Sequence, residues 1–236
     1  MGGQAMKYLI LGKGYLGTYL IDYFKADFLD KRIEDMKEKD FEGYDVVINT
    51  IAKSDVDWCE KNDCFKVNTK EAVRIAKLVQ GKYVFISTGC IFPKPLCKYT
   101  WSKYYAEPII RIMKRNHLII RPRLLMSEKS HPRNTITKIL KYPVLSSNQE
   151  SMTIIEDMLP ALKKMIDQNK IGTFNMLNKG SISPSEIATI FGKKHEVKTH
   201  EEIQRTSGKA KRTSVVLKGH LPNIITRIKE IQKKWQ

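Results

Sequence analysis

The sequence has few cysteines and no long apolar run, and each shortage excludes a class of protein. Four cysteines among 236 residues are too few and too dispersed for a disulfide scaffold. Their spacings also miss the close pairs of zinc sites, so we expect reduced thiols and no metal. No apolar run approaches the roughly 18 residues that a membrane span needs. The first residues lack the layout of a signal peptide, so we expect a soluble, cytoplasmic protein whose natural start is Met6.

Acidic residues are scarce as well. The chain has 42 Lys and Arg against 25 Asp and Glu, which gives a formal net charge of +17. The excess is largest after residue 128, and Gly208-Lys209-Ala210-Lys211-Arg212 is the densest basic cluster. Such charge suits nucleic acid or a small polyanion such as a nucleotide diphosphate equally well, so composition leaves both classes of partner open.

The chain opens with the pattern of a strand, a glycine turn and a helix. Apolar residues 7–11 precede the turn Gly12-Lys13-Gly14-Tyr15-Leu16-Gly17, and a helical pattern continues to Phe24. G-x-G-x-x-G in this position is the fingerprint of a dinucleotide site, because its glycines let the backbone approach a pyrophosphate at a helix N-terminus. Residues 12–17 are therefore candidate cofactor contacts.

The end of the second predicted strand bears on the choice of cofactor. This strand covers residues 26–29 and is followed by Asp30-Lys31-Arg32. An acidic residue here favours a ribose hydroxyl of NAD, whereas Lys or Arg favours the 2′-phosphate of NADP. Both types are present, and the two cations favour NADPH, with NADH as the alternative.

Strands and helices alternate through the first half of the chain. Further strands are predicted at 45–49, 83–87 and 118–121, with a helix at 69–80 and another that contains Tyr99 and Lys103. This alternation predicts an α/β fold, a Rossmann-type doubly wound parallel sheet. We expect residues 6–121 to form the NAD(P)-binding domain.

The alternation weakens from residue 122 onward. Prolines punctuate the segment, and helical patterns occur at 156–168, 184–191 and 222–235. We expect residues 122–236 to form a smaller substrate-binding region that caps the carboxyl edge of the sheet, interleaved with it rather than folding independently.

Tyr99 and Lys103 are one helical turn apart and follow a strand that ends in Ser87-Thr88. This order resembles the extended short-chain dehydrogenase/reductases. The resemblance implies that Tyr99 donates a proton, that Lys103 holds the nicotinamide ribose and lowers the Tyr99 pKa, and that Thr88 orients the substrate carbonyl. An adjacent cation does favour a phenolate, which agrees with this pairing.

More specific segments occur in order along the chain. They are Val56-Asp57-Trp58-Cys59-Glu60, Val67-Asn68-Thr69, Thr88-Gly89-Cys90-Ile91-Phe92, Tyr99-Thr100-Trp101-Ser102-Lys103, His131-Pro132-Arg133-Asn134-Thr135-Ile136-Thr137-Lys138-Ile139, Ser151-Met152-Thr153 and Gly172-Thr173-Phe174-Asn175. Together they resemble the nucleotide-rhamnose synthase/epimerase-reductases, which are bifunctional 3,5-epimerase/4-reductases. The similarity to dTDP-4-dehydrorhamnose reductase and GDP-fucose synthase is more distant.

This resemblance implies conversion of a UDP- or dTDP-linked 4-keto-6-deoxy-D-glucose to the L-rhamnose sugar by a homodimer. Cys90 and Lys138 would transfer protons in the epimerisation, since a neighbouring cation lowers the pKa of a thiol and burial lowers that of a lysine. Further implied cofactor contacts are Asn49, Thr50, Ala52 and Asn68. Implied substrate contacts are Thr88, Cys90, Arg133, Asn134, Met152 and Thr153.

Three shortened segments depart from the relatives, and two alternative functions stay open. The stretch from Thr88 to Tyr99, the glycine turn and the loop before Asp57 are all shorter than in the plant enzymes. Gly89-Cys90 replaces the Asp-Glu pair of the related 4,6-dehydratases, which excludes dehydration.

One alternative function is that of a pure 4-reductase, which needs neither Cys90 nor Lys138. The other is a non-catalytic dinucleotide-binding or nucleic-acid-binding protein, which the +17 charge favours and the catalytic set opposes.

Overall fold

A computed structural model describes residues 5–236, so most of the segment that we expect to precede Met6 lies outside the described residues. The chain divides into two compact units. The first unit comprises the chain up to Ile91, Pro95–Arg121 and Gln168–Phe174. The second comprises Phe92–Lys94, Pro122–Asp167 and Asn175–Gln236.

The elements of the described chain alternate most regularly in its first half. The strands are β1 (Tyr8–Leu11), β2 (Asp27–Leu29), β3 (Val46–Asn49), β4 (Lys82–Ile86), β5 (His117–Arg121), β6 (Leu125–Met126), β7 (Val144–Ser146), β8 (Thr153–Ile154), β9 (Gly172–Asn175), β10 (Asn178–Lys179), β11 (Glu196–Lys198) and β12 (Leu221–Asn223). The helices are α1 (Tyr15–Phe24), α2 (Val56–Lys61), α3 (Ala72–Leu78), α4 (Lys98–Met113), α5 (Thr135–Ile139), α6 (Ile155–Asp167), α7 (Pro184–Ile190), α8 (His200–Ser207) and α9 (Ile224–Trp235).

The first unit is built around a six-stranded sheet in the order β2-β1-β3-β4-β5-β9. The pairs from β2 through β5 are parallel, and Ile10 of β1 lies between Phe28 of β2 and Ile48 of β3. Every residue of β1, β3 and β4 is buried, as expected for strands covered on both faces. The predicted Rossmann-type parallel sheet is thus confirmed.

The strand order reverses between β1 and β3, because the chain runs outward to β2 and then returns to the other side of β1. Ligands of such sheets bind beyond the carboxyl ends of the strands at this reversal. The glycine turn after β1 and the loop that begins at Thr50 after β3 both lie there. The fold therefore brings two predicted cofactor segments to one edge.

The second unit has its own apolar core and three short parallel strand pairs. The pairs are β6–β8, β7–β11 and β10–β12. Buried side chains of its core include Met126, Ile136, Ile154, Ile187, Ile224 and Ile228. The buried Arg123 forms an ion pair with Glu150 and donates to the carbonyl of Thr213 at 2.6 Å. The basic cluster at 208–212, which directly precedes Thr213, has an irregular backbone and is mostly exposed.

Among residues 5–236, no helix has both the length and the apolar character that are needed to cross a membrane.

Candidate active site

The glycine turn after β1 has a backbone that only glycine suits. Gly12 has a φ of +92°, and a Cβ there would lie 2.8 Å from the Ile51 side chain. A Cβ on Gly17 would overlap the carbonyl oxygen of Gly12. The Thr50 hydroxyl donates to the carbonyls of Leu11 at 2.8 Å and Gly12 at 2.9 Å, which fixes the turn. The turn therefore has the tight, bare backbone that close approach of a pyrophosphate requires.

The same turn leaves the start of α1 open to an anion. Gly14 is the N-cap residue and has no side chain with which to accept from the first amides of the helix. The positive end of the helix dipole adds to their attraction for negative charge. Lys13 contributes a cation nearby, with Nζ 4.3 Å from the centre of the Phe28 ring on β2. These groups fit the phosphates of a dinucleotide.

The two cations after β2 have different surroundings. Lys31 forms an ion pair of 2.7 Å with Asp40, and this contact is the main cause that lowers the pKa of the Asp40 carboxyl. The Arg32 side chain is 79% exposed, and its guanidinium is 3.9 Å from Glu34. Asp30 is also exposed. Arg32 is thus the cation of this pair that is better placed to meet a ligand.

Two of the asparagines expected to contact the cofactor are bonded within the protein. Asn49 donates to the Tyr83 hydroxyl at 2.8 Å and accepts from the Ile51 amide at 2.9 Å. The buried Asn68 makes two hydrogen bonds with the backbone of Lys53 and donates to Ser102 Oγ at 3.0 Å. Through the Ile51 amide and the Lys53 backbone, these two asparagines fix the loop after β3, in which Ala52 is half-buried.

Asn68 lies in a π-type turn, Lys66–Glu71, where the sequence predicts the start of an α-helix. In the same turn, Thr69 donates to the Ser102 carbonyl at 2.7 Å. Ser102 in turn donates to the carbonyl of Tyr99 at 2.7 Å. Turns of this kind are common near functional sites, and this one fixes the first turns of α4.

Thr88, Tyr99 and Lys103 come together where β4 meets α4. Thr88 is buried, and its hydroxyl forms a hydrogen bond with the half-buried Tyr99 phenol. Lys103 is 2% exposed, and its Nζ donates to the Ile86 carbonyl at 2.9 Å and lies 4.4 Å from the centre of the Phe85 ring. All three side chains that the sequence analysis predicted to act in carbonyl reduction thus lie in the first unit.

The expected lowering of the Tyr99 pKa by Lys103 is wrong for this structure. Burial raises the pKa of the Tyr99 phenol, and the hydrogen bond from Thr88 offsets only part of that effect. Burial also lowers the pKa of Lys103 to about 7, so the amine is only partly charged at neutral pH. A protonated phenol is nevertheless the form that a proton donor requires.

One buried carboxylate beside this group was missed by the sequence analysis. Glu107 follows Lys103 by one turn of α4 and accepts from Ser87 Oγ at 2.6 Å and from Arg121 Nε at 2.8 Å. The signal available in the sequence was its spacing, since residues 99, 103 and 107 share a helix face.

The four cysteines are reduced thiols, and all lie in the first unit. Cys90 is half-buried, and its backbone amide donates to Thr88 Oγ1 at 3.1 Å, which fixes the short turn between the two residues. Cys59, Cys64 and Cys97 are buried, and burial raises the pKa of the Cys59 thiol. Within the described chain, no cluster of three His, Cys, Asp or Glu side chains could hold a metal ion.

The predicted substrate residues of the second unit fall into two groups. Lys138 and Arg133 are exposed on and beside α5, so the burial expected for a proton-transferring lysine is not present. Asn134 and Thr153 are buried and bonded within the unit. Asn134 caps α5 and donates to Ser127 and Lys129 carbonyls, and Thr153 donates to the Met176 carbonyl at 2.6 Å. Met152 is buried as well.

Curated relatives similar in sequence occur in a giant virus and in a plant. Protein L780 of Acanthamoeba polyphaga mimivirus is 28% identical over 184 residues, which cover 64% of this chain and 64% of the relative. The bifunctional dTDP-4-dehydrorhamnose 3,5-epimerase/dTDP-4-dehydrorhamnose reductase of Arabidopsis thaliana is 28% identical over 165 residues, 59% of this chain and 54% of the relative. The chain therefore spans less than two thirds of the length of these relatives. No protein-family model matches the chain.

Solved structures match the fold over nearly the whole chain. The crystal structure of the L780 UDP-rhamnose synthase from the same mimivirus gives a TM-score of 0.88 at 24% identity and covers 98% of this chain and 100% of that one. The dTDP-4-dehydrorhamnose reductase of Bacillus anthracis, solved in complex with NADP, gives 0.81 at 18% identity, with 98% and 99% covered. The resemblance predicted from the motifs is confirmed for the rhamnose-pathway epimerase/reductases and for dTDP-4-dehydrorhamnose reductase.

Proposed function

We propose that this chain is an NADPH-dependent 3,5-epimerase/4-reductase that converts a UDP- or dTDP-linked 4-keto-6-deoxy-D-glucose to the L-rhamnose sugar. The observation that carries the proposal is the Thr88, Tyr99 and Lys103 group at the end of β4, with Cys90 two residues beyond Thr88. The names of the relatives, which combine epimerase and reductase activities on these sugars, support both halves of the reaction.

The epimerisation needs one group that removes a proton and another that returns one. Carbons 3 and 5 flank the 4-keto group, so breaking either C–H bond leaves its electron pair delocalised onto the keto oxygen as an enolate. We assign this proton exchange to Cys90 and Lys138, one as the base and the other as the acid. A thiolate at Cys90 suits proton removal at carbon, because a thiol ionises far more readily than a hydroxyl.

The reduction uses the group on β4 and α4. NADPH, when held by the glycine turn and Lys103, would supply the hydride for carbon 4. Thr88 orients the keto oxygen by donating a hydrogen bond, and Tyr99 donates its phenolic proton to that oxygen as negative charge develops. Burial, which raises the pKa of Tyr99, keeps that proton in place at neutral pH. Lys103 holds the cofactor's ribose and, when charged, favours the phenolate that remains.

The cofactor site provides a prediction about Arg32. Its exposed guanidinium is positioned beyond β2, where a 2′-phosphate lies in such folds, whereas Lys31 is held by Asp40. Arg32→Ala should weaken NADPH binding by about tenfold, the order expected for one charge-assisted contact, and leave NADH binding nearly unchanged.

Lys31→Ala is the matched control, because it removes a cation of the same segment that is already paired. Isothermal titration of both variants with NADPH and NADH measures the difference. Equal losses for both cofactors in Arg32→Ala would mean that Arg32 does not contact the 2′-phosphate.

We further propose that the second unit binds the nucleotide sugar, that the enzyme is a homodimer, and that it works in the cytoplasm. Exposed apolar side chains along α4 offer a surface for a second copy. They are Trp101, Tyr104, Tyr105, Ile109, Ile112 and Met113. Four reduced cysteines are in keeping with a reducing compartment. Sedimentation analysis of the wild type and of Ile112→Glu tests the dimer, which this variant should dissociate.

The experiment that tests the whole proposal is incubation with each 4-keto sugar and NADPH. Loss of absorbance at 340 nm, with formation of the L-rhamnose nucleotide, is the expected result. Reduction to a sugar whose carbons 3 and 5 keep their starting configuration would identify a reductase alone. No consumption of NADPH with either sugar would contradict the proposed activity.

A further inference from the structure

Glu107 is a carboxylate in the interior of the first unit, next to the catalytic group. Its residue is 2% exposed, and its oxygens accept hydrogen bonds from Ser87 Oγ and from Arg121 at the end of β5. The bonds from the Arg121 guanidinium are charge-assisted, and they stabilise the ionised carboxylate against the cost of burial. Glu107 and Arg121 therefore form an ion pair inside the fold.

Successive turns of α4 each bond to the end of β4. Tyr99 is hydrogen-bonded to Thr88, Lys103 donates to the Ile86 carbonyl, and Glu107 accepts from Ser87. Because residues 99, 103 and 107 lie on one face of the helix, these contacts form a row along the strand end. Glu107 thus anchors Ser87, the residue before Thr88, to α4. The same contact fixes the turn of the helix that carries Lys103.

Glu107 lies one turn of α4 beyond Lys103 on the same helix face, so its negative charge is near the Lys103 amine. Burial lowers the pKa of the Lys103 amine to about 7, and the negative charge of Glu107 is the first effect that opposes this lowering. Cys64, from the segment before the π-type turn, would act in the same direction only as a thiolate. Arg121 on β5 faces Glu107 and partly neutralises it. Removal of Glu107 would therefore take away the main negative charge that favours the Lys103 ammonium.

We infer that Glu107 is a positioning residue of the reduction: held by Ser87 and Arg121, it supplies the negative charge that favours the Lys103 ammonium, and it fixes the turn of α4 that places Lys103 for the cofactor's ribose and for Tyr99. This inference rests on the proposed function. It adds to the Tyr-Lys pair a third acting residue, which touches neither cofactor nor substrate.

The consequence for pH follows from the sign of the effect. A lysine amine is charged below its pKa, so the activity that depends on the ammonium is lost as the pH rises through that value. Removing Glu107 moves this loss to lower pH. Each unit of displacement reduces the charged fraction about tenfold at a pH above both values.

Glu107→Gln removes the charge and keeps the shape and the ability to accept from Ser87. We expect the alkaline limb of the reduction rate to move about one unit toward acid, with about a tenfold loss near pH 8 and little loss near pH 6. NADPH affinity, measured by titration calorimetry over the same range, should fall in parallel. Glu107→Asp keeps the charge and should keep the alkaline limb close to that of the wild type.

The glutamine variant leaves Arg121 without its carboxylate, which can destabilise the fold. The pair Glu107→Gln with Arg121→Gln removes both charges, and amide groups at both positions can still bond to each other. A shift in the same direction is expected in this double variant, but a smaller one, because the opposing positive charge of Arg121 is removed with the carboxylate. A wild-type limb in a folded Gln variant, with only a uniform loss of rate at every pH, would overturn the inference and leave Glu107 a structural residue.

Titration of the Lys103 amine by NMR separates this inference from the proposed function, because it needs neither sugar nor cofactor. The resonance, assigned by its loss in Lys103→Met, should titrate at lower pH in Glu107→Gln than in the wild type. An unchanged titration overturns the effect of Glu107 on Lys103. A shifted titration in a protein that neither binds NADPH nor reduces the sugar refutes the proposed activity and keeps the electrostatic coupling.

Discussion

Tyr99→Phe should abolish reduction of the 4-keto sugar and leave the affinity for NADPH near that of the wild type. Loss of a general acid costs about 10²–10⁴-fold in rate. The phenol is the proton donor in this account, since burial raises its pKa and keeps it protonated at neutral pH. The phenylalanine ring fills the same space, so the contacts that Lys103 makes with Ile86 and Phe85 remain.

Tyr23→Phe is the matched control, because Tyr23 lies on α1 outside the site and the proposed dimer surface and is 40% exposed. It should reduce at the wild-type rate. Initial rates of NADPH oxidation and calorimetric affinities of both variants give the comparison. Near wild-type turnover in Tyr99→Phe would remove Tyr99 from the mechanism.

Cys90→Ser should suppress proton exchange at carbons 3 and 5 while sparing reduction of a sugar that was epimerised beforehand. A serine hydroxyl has a far higher pKa than a thiol and is a poor base toward carbon. We expect a loss of about 10²–10⁴-fold in the rate of deuterium incorporation, the range for a missing general acid or base. Thr88 and Tyr99 are unaltered, so reduction continues.

Cys97→Ser makes the same chemical change at a buried thiol of the same unit. Cys97 is the N-cap of α4, where serine is a favoured residue, so the fold should tolerate it. This variant should exchange deuterium at the wild-type rate. If Cys90→Ser also exchanges normally, Cys90 is a packed thiol and not the base.

The sheet could be predicted from the sequence because its strands are continuous apolar runs between recognisable turns. The predicted helix at 69–80 could not be placed correctly in the same way. Its first turn is of π type, and the side chains of Asn68 and Thr69 bond to Ser102, which is more than thirty residues away in sequence. Local periodicity carries no information about such a partner.

Only part of the site could be predicted from the sequence, because burial and long-range contacts decide the rest. Motif spacing identified Thr88, Tyr99 and Lys103, which the fold does bring together, but it could not give their ionisation. The Tyr99 pKa is raised mainly by burial of the phenol itself, and the Lys103 amine that was expected to lower it is buried as well. Glu107 is absent from the motif because its role depends on Ser87 and Arg121, which reach it from two other elements.

Deuterium incorporation by the wild-type protein without NADPH tests the central claim most directly. The protein is incubated in deuterated water with UDP- or dTDP-4-keto-6-deoxyglucose, and the recovered sugar is analysed by NMR and mass spectrometry. The account predicts deuterium at carbons 3 and 5, since epimerisation needs only the keto group and a pair of proton-transferring side chains. No deuterium at either carbon, in a preparation that reduces the pre-epimerised sugar with NADPH, would contradict the bifunctional assignment.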